Sequence, residues 1–346
     1  MENNKKLRIL VVDDSLLFRE LISLGISSDP WMEVVAKAVD PFDARDKILE
    51  FHPDVMVCDV EMPKMNGVEF IKRLLPQYPI PVVVVSSLSE AVFDAMSSGA
   101  VDFITKPDGK SGKSIDSFIY ELKIKIKIAS VAKIGDQKIR GISKQYEKSS
   151  YDTSKIIAIG ASTGGTDALY KILKMLPSTM PGIVIVQHIP PVFSKMFAQR
   201  LNNETQLNVK EAQTGDYIEP GMVIIAPGDE HIRIKRIGNR YRIECFKGEK
   251  INGHCPSVDV LFESVAREVG KNSIGIILTG MGNDGAKGLL AMRKVGAHTL
   301  GQDENSCVVY GMPKAAFDIG AVEKQVPLGS IPNVLHSYLR TGFHGS

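Results

Sequence analysis

Short apolar runs alternate with amphipathic stretches along most of this chain. Over residues 7–106 the runs are L-R-I-L-V-V-D-D, V-V-A-K-A-V-D, D-V-M-V-C-D, I-P-V-V-V-V-S-S and V-D-F-I-T-K-P. Runs this short, with little polar alternation, fit strands buried on both faces, the pattern of a parallel sheet covered by its crossover helices. Five of them joined by helical segments predict a doubly wound, five-stranded parallel domain. A lysine-rich helix is expected near residues 115–134. Apolar periodicity then fades through I-G-D-Q-K-I-R-G-I-S-K-Q-Y-E-K-S-S-Y-D-T-S, which reads as a linker.

A second α/β region follows. Its strand candidates are K-I-I-A-I-G, G-I-V-I-V-Q, M-V-I-I-A-P and S-I-G-I-I-L-T, while H-I-R-I-K-R-I and Y-R-I-E-C-F flank G-N as a hairpin. The pattern predicts a three-layer α/β domain with a mostly parallel sheet and an antiparallel hairpin. The expected division is a first domain at residues 1–130, a linker at 131–154 and a second domain at 155–341.

Composition narrows this picture only a little. The chain has 346 residues, 44% hydrophobic and 24% charged, the proportions of an ordinary globular protein. A net charge of +2 gives no case for nucleic acid as a partner. No apolar stretch has the roughly 18–20 residues of a membrane span, so no direct membrane insertion is expected. The polar start M-E-N-N-K-K-L-R runs straight into a strand and does not read as a signal peptide. Cys58, Cys245, Cys255 and Cys307 form no C-x-x-C pair, which fits free thiols in a reducing cytoplasm.

Candidate chemistry gathers at strand ends. In the first region Asp13 and Asp14 end the first strand, Asp59 the third, Ser86 the fourth and Lys106 the fifth. In an open parallel sheet the crevice beyond the carboxyl ends of the strands is where such residues converge. Clustered carboxylates repel one another without a cation, and hard oxygen ligands of this kind suit Mg²⁺. A metal-bound Asp59 could accept a phosphoryl group as an acyl phosphate, with Ser86 and Lys106 on its oxygens. One such Asp would be an ordinary helix cap; D-D, D-x-x-M-P-x-x-x-G, S-S and K-P in this order are another matter. The region resembles the receiver domain of bacterial response regulators, a flavodoxin-like fold. The resemblance implies Asp59 as phospho-acceptor, Asp13, Asp14 and Asp59 around Mg²⁺, Ser86 and Lys106 on the phosphate, and Phe103 as the aromatic switch. Asn66, in M-N-G, stands where many relatives have Asp, outside the acidic cluster.

In the second region Ser162 lies in I-G-A-S-T-G-G, where a strand meets a glycine-rich turn and a helix. A serine hydroxyl needs a base to act as a nucleophile. His188 follows the next strand, and Asp284 lies in L-T-G-M-G-N-D-G-A-K-G after a later one. Together they could form a triad, with Asp284 fixing the imidazole tautomer and the glycine-rich turns offering oxyanion donors. Taken singly, Ser162 could be a helix cap, His188 a surface residue, and G-M-G-N-D-G a turn or a phosphate-binding helix start. His254 next to Cys255 hints at a thiol–imidazole pair, but adjacent side chains of an extended chain point apart. G-A-S-T-G also matches the α/β-hydrolase elbow, whose triad runs Ser, Asp or Glu, His; the order Ser162, His188, Asp284 argues against that fold.

These motifs, with V-Q-H-I-P and Q-D-E-N-S-C-V-V-Y-G-M-P-K-A-A, resemble the catalytic domain of the chemotaxis methylesterases over roughly 155–340. The resemblance implies the triad Ser162, His188 and Asp284, with Thr163 and Met281 at further active-site positions and the Met281 N–H as an oxyanion donor. No chemical role is assigned to Cys307; a buried packing thiol is the default. It further implies a cytoplasmic enzyme that hydrolyses glutamate γ-methyl esters, and deamidates glutamines, in chemoreceptor helical bundles. A chemotaxis histidine kinase would be the phosphodonor, and the unphosphorylated receiver would block the hydrolase. The alternatives are a regulator with DNA-binding output, for which no basic helix-turn-helix is visible, and a scaffold with a decayed site, which intact Ser162, His188 and Asp284 disfavour.

Overall fold

The computed structural model describes residues 5–63, 65–87, 90–107, 114–134 and 151–340. Two compact units divide at Asp136 and Gln137. Most of the segment read as a linker, residues 135–150, lies outside the described residues.

The first unit holds β1 (Leu7–Val12), α1 (Leu16–Ser27), β2 (Met32–Ala38), α2 (Pro41–Phe51), β3 (Val55–Asp59), α3 (Gly67–Leu74), β4 (Val82–Ser86), α4 (Ala91–Ser97), β5 (Asp102–Thr105) and α5 (Ile115–Ser130). The strands pair in parallel in the order β2-β1-β3-β4-β5, a flavodoxin-like sheet. Every residue of β3 and β4 is buried, which is why V-M-V-C-D and V-V-V-V-S carry almost no polar alternation. Polar side chains start the helices: Ser15, Asp40, Asn66 and Ser114 each accept a backbone N–H from the first turn of the helix they precede.

The second unit holds β6 (Ile156–Ala161), α6 (Gly165–Leu173), β7 (Gly182–Gln187), α7 (Phe193–Glu204), β8 (Asn208–Glu211), β9 (Met222–Ile225), β10 (His231–Ile237), β11 (Arg240–Phe246), α8 (Val258–Glu268), β12 (Ser273–Ile277), α9 (Ala286–Lys294), β13 (His298–Gln302), α10 (Met312–Asp318), β14 (Lys324–Val326) and α11 (Ile331–Leu339). Seven strands form one parallel sheet in the order β14-β13-β12-β6-β7-β9-β8. The expected hairpin, β10–β11, is a two-stranded antiparallel sheet of its own. Apolar runs did not announce β8, β13 and β14. The first and last are short strands at the two sheet edges, and β13 reads H-T-L-G-Q.

From β6 the chain moves outward to β7 on one side and later returns to β12 on the other. The crevice between the carboxyl ends of β6 and β12 is thus the topological switch point, the usual ligand site of an open α/β sheet. Helix α8 lies across β6 at Gly160, where an added Cβ would sit 2.2 Å from a methyl of Val258. Gly160 therefore sets how close the start of α8 comes to the crevice. Gly160→Ala should cost about 1–3 kcal/mol of stability by overpacking. Combining it with Val258→Ala should recover part of that loss, as read by urea unfolding.

Candidate active site

In the first unit the strand ends deliver the expected acidic cluster. Ligand oxygens of Asp13, Asp14 and Asp59 lie within 4.8 Å of one another. Asp13 and Asp59 are buried and Asp14 is exposed. The Lys106 ammonium donates to Asp59 Oδ2 at 2.6 Å and lies 3.1 Å from Asp13 Oδ2. Burial pushes the Asp13 carboxyl up, helped by the Asp59 charge and opposed by Lys106. For Lys106 burial works downward, but the two carboxylates outweigh it and raise its pKa. Ser86 Oγ is buried with no hydrogen-bond partner, and Asp13 Oδ2 has only the Lys106 ammonium beside it. Such under-satisfied oxygens at a site of two buried acids fit a hard cation and an added anion. Gly67 closes the back of the site, where a Cβ would meet the Asp59 carbonyl oxygen at 2.2 Å. The Phe103 ring is buried, edge-on to Phe93 at 6.4 Å between centroids.

In the second unit the register brings Ser162, His188 and Asp284 to the switch point. Ala161 pairs with Gln187, so Ser162 and His188 leave adjacent strands together, and the Ser162 N–H donates to Thr279 O beyond β12 at 3.0 Å. His188 Nε2–H donates to Asp284 Oδ2 at 2.9 Å. Its Nδ1 is buried and makes no hydrogen bond, so the lone pair available to a serine hydroxyl is on Nδ1. Ser162 Oγ forms no hydrogen bond to it, a separation that ligand-free sites commonly close only on substrate binding.

Asp284 is held by its neighbours more than by its own loop. Oδ2 also accepts from Val258 N at 2.7 Å, and Oδ1 accepts from Ser257 Oγ at 2.7 Å, Asn252 Nδ2 at 3.0 Å and Asp259 N at 3.2 Å. The carboxylate thereby caps the N-terminus of α8, whose own preceding residue Ser257 makes no side-chain cap. Asp259, in the first turn of α8, accepts from Gly288 N at 2.7 Å and so caps α9 in return. Asn252 Nδ2 donates to both carboxylates. Burial works to raise the Asp284 pKa, but the His188 hydrogen bond and charge, with Asn252 and Ser257, hold it far below the usual carboxylate range. Asp259 shifts up, through burial and despite the Gly288 N–H.

The remaining expected residues surround this centre. Thr163 is buried, and its carbonyl accepts from Thr279 Oγ1 at 3.0 Å. Met281 is 46% exposed at the rim, and no hydrogen bond among the described residues engages its N–H, whereas the neighbouring Gly280 N–H is taken by Val309 O. The Met281 N–H is thus left without a protein acceptor among the described residues.

Comparison with known proteins now decides the family. Residues 157–335 match the CheB methylesterase model and residues 9–112 the response regulator receiver domain. The chain belongs to the CheB methylesterase family. It is 56% identical over 97% of its length, and 98% of the relative, to a Syntrophomonas wolfei protein named protein-glutamate methylesterase/protein-glutamine glutaminase 2. A Syntrophotalea carbinolica protein of the same name, without the numeral, is 50% identical over 94% of this chain and 96% of that one. The crystal structure of the Thermotoga maritima CheB methylesterase catalytic domain superposes with a TM-score of 0.52 at 39% identity, covering 53% of this chain and 98% of that domain.

Sequence reasoning had not picked out several residues of this CheB-family site. Ser257 and Asp259, in P-S-V-D-V-L-F, look only like an ordinary helix start. Asn252, in I-N-G-H, looks only like a turn. The Gln187 amide donates to Ser162 O and His188 O, and Gln302 accepts from Thr279 N, so each steadies a strand end of the site. His254, next to Cys255 in the chain, stacks on His188. The phosphate reading of G-M-G-N-D-G also lapses, because Asp259 already takes the Gly288 N–H. Cys307 is buried, with its sulfur against Gln302 O at 4.0 Å.

The lowered Asp284 pKa has a signed consequence. Its contribution to stability is full above the unfolded carboxylate value, about 3.9, and is lost as pH falls through the lower folded value. Urea unfolding of the catalytic domain should therefore show stability falling more steeply below about pH 4 in the wild type than in Asp284→Asn, whatever the variant's baseline.

Proposed function

We propose that this chain hydrolyses the γ-methyl ester of modified glutamates in chemoreceptor cytoplasmic helices, through Ser162, His188 and Asp284. The observation that carries the reading is the buried, unpartnered Nδ1 of His188, at the strand end beside Ser162, in a ring whose Nε2–H is committed to Asp284. Ser162 Oγ attacks the ester carbonyl carbon as His188 Nδ1 takes its proton. The charge that develops on the carbonyl oxygen falls to the Met281 N–H. His188 returns the proton to the departing methoxide, and methanol leaves an acyl-serine. Water, deprotonated by His188, then adds to the acyl carbon; glutamate is released and Ser162 regains its proton. Asp284 stays ionised throughout and stabilises the imidazolium. A glutamine side chain takes the same course with ammonia as the leaving group, and the names of the relatives carry both activities.

Asp59 is the proposed phospho-acceptor, with a histidine kinase as donor and the chain working in the cytoplasm. Among the described residues no helix is long and apolar enough to cross a membrane. Asp13, Asp14 and Asp59 would hold Mg²⁺. When bound, the ion neutralises the crowded carboxylates and the incoming phosphoryl oxygens. Lys106 and Ser86 Oγ would then turn to the phosphate, and Phe103 would respond to that change. Phosphorylation relieves a restraint that the receiver places on the hydrolase.

Ser162→Ala should lower methanol release from methylated receptors by about 10⁴-fold or more, measured by vapour-phase assay; release at the wild-type rate would sink the triad. Removing residues 1–150 should raise basal esterase activity, and a phosphodonor should stimulate the full chain but not Asp59→Asn. A folded fragment with unchanged or lower activity would count against restraint by the receiver.

A further inference from the structure

The loop between β11 and α8 is closed at its base and carries a turn over the catalytic pair. Buried His231 holds both ends of the loop: its Nε2–H donates to Glu249 O at 2.9 Å, and its Nδ1 accepts from Ser257 N at 3.1 Å. Within the loop, Ile251 and His254 bridge each other through both backbone bonds, at 3.0 and 2.9 Å. Asn252, in the left-handed region at φ 52°, reaches down to Asp259 and Asp284. The same turn lays the His254 ring flat on the His188 ring, with centroids 3.8 Å apart and planes 7° from parallel.

That stacking answers a problem in the geometry of His188. The extended Cβ–Cγ axis of an imidazole passes between Cε1 and Nε2, so both nitrogens lie off it and Nδ1 lies the farther. Rotation about that axis therefore moves Nδ1 more than Nε2. A bond from Nε2 to a carboxylate resists large rotations but tolerates small ones, and these displace Nδ1 the more. Terminal sp³–sp² torsions of this kind are broad and have no sharp intrinsic preference. The nitrogen that must meet Ser162 is thus the one that Asp284 aims less closely.

We propose that His254 is a positioning residue for His188: its ring, carried on the Ile251–His254 turn, fixes the plane of the His188 imidazole and so aims Nδ1 at Ser162. The inference rests on the reading of Ser162, His188 and Asp284 as the catalytic set. His254 acts here through its flat face and donates no proton to the reaction.

The test uses the full chain acting on methylated receptors, with His254→Ala and His254→Phe. His254→Ala should lower kcat by about 10- to 100-fold, the scale set by misplacing a reacting group by around an ångström, with KM within about twofold. His254→Phe keeps a flat ring and should stay within about threefold of wild type. The downfield proton resonance of His188 Nε2–H should persist in both variants, because the Asp284 bond does not depend on His254. If His254→Ala fails to fold, His254→Leu, which fills the space without a flat face, should show the same loss. Wild-type kcat in the Ala or Leu variant would overturn the proposal. So would a Phe variant as slow as the Ala variant, or loss of the Nε2–H resonance. Ser162→Ala in the same assay separates the two ideas: undiminished methanol release there removes the triad reading itself, whereas an inactive Ser162→Ala beside a fully active His254→Ala removes only the role of His254.

Discussion

Two buried carboxylates, Asp284 and Asp259, cap each other's helices, and the hydrolase site is organised around that exchange. Placing two like charges side by side in the interior is costly. Here each oxygen meets donors that the fold would otherwise leave unsatisfied, because the first N–H groups of a helix have no partner within it. Asp284 takes Val258 N and Asp259 N at the start of α8, and Asp259 takes Gly288 N at the start of α9. Both helix N-termini also carry partial positive charge, which favours an anion there. The exchange is unequal: Asp284 has the additional hydroxyl of Ser257 and the imidazole of His188, and its carboxyl is pushed down while that of Asp259 is pushed up. The acid bonded to His188 is the one with more donors. Its position is fixed by the same bonds that tie the start of α8 to the start of α9, so the carboxylate that takes His188 Nε2–H is held by packed helices.

The sheet supplies the other half of the geometry. A parallel arrangement presents all its strand ends on one edge, and a change of direction in strand order opens a crevice there. Ser162 and His188 leave β6 and β7 side by side, while the segment after β12 is drawn against Ser162 through the bond from Ser162 N to Thr279 O. That segment is clamped in turn by Gln302 at Thr279 N and by Val309 at Gly280 N. With Gly280 N so engaged, the next amide, that of Met281, has no acceptor among the described residues. Gly280 itself permits the close approach of the two segments, since a Cβ there would lie 2.6 Å from Ser162 Cβ.

Much of this was legible in the chain itself because buried parallel strands write a strong signal. Runs such as V-V-V-V-S and I-I-A-I-G-A are buried over their whole length, and the reactive residues follow them directly. The signal fails where a strand is short, marginal or polar. The four residues of β8 and the three of β14 lie at sheet edges, and Thr299 and Gln302 of β13 are buried polar residues satisfied by long-range bonds. The supporting residues of the site were hidden for a related reason. Asn252 and His254 act across a loop closure, and Asp259 caps a helix nearly thirty positions away in the chain. Local sequence gives each of them an adequate local role, as turn or first-turn residue. Only the fold brings their second role into view.

The receiver follows a different electrostatic rule. In the hydrolase the carboxylates are satisfied by fixed donors. In the receiver, Ser86 Oγ is buried without a hydrogen bond, and the single ammonium of Lys106 is shared between Asp13 and Asp59. A site left partly unsatisfied gains when a ligand arrives, whereas a satisfied one has nothing to gain. On the proposed reading, a phosphoryl group on Asp59 adds about 1.5 to 2 negative charges and strong acceptor oxygens. One hydrogen bond from Ser86 to such a charged acceptor contributes about 1.5–3 kcal/mol, and each 1.4 kcal/mol or so of preference for one state shifts a two-state balance about tenfold. The orphaned hydroxyl alone can therefore drive a shift of about tenfold to a hundredfold. A larger activation requires further contacts that form only in the phosphorylated state, and Lys106, already drawn between Asp13 and Asp59, is the group placed to make them.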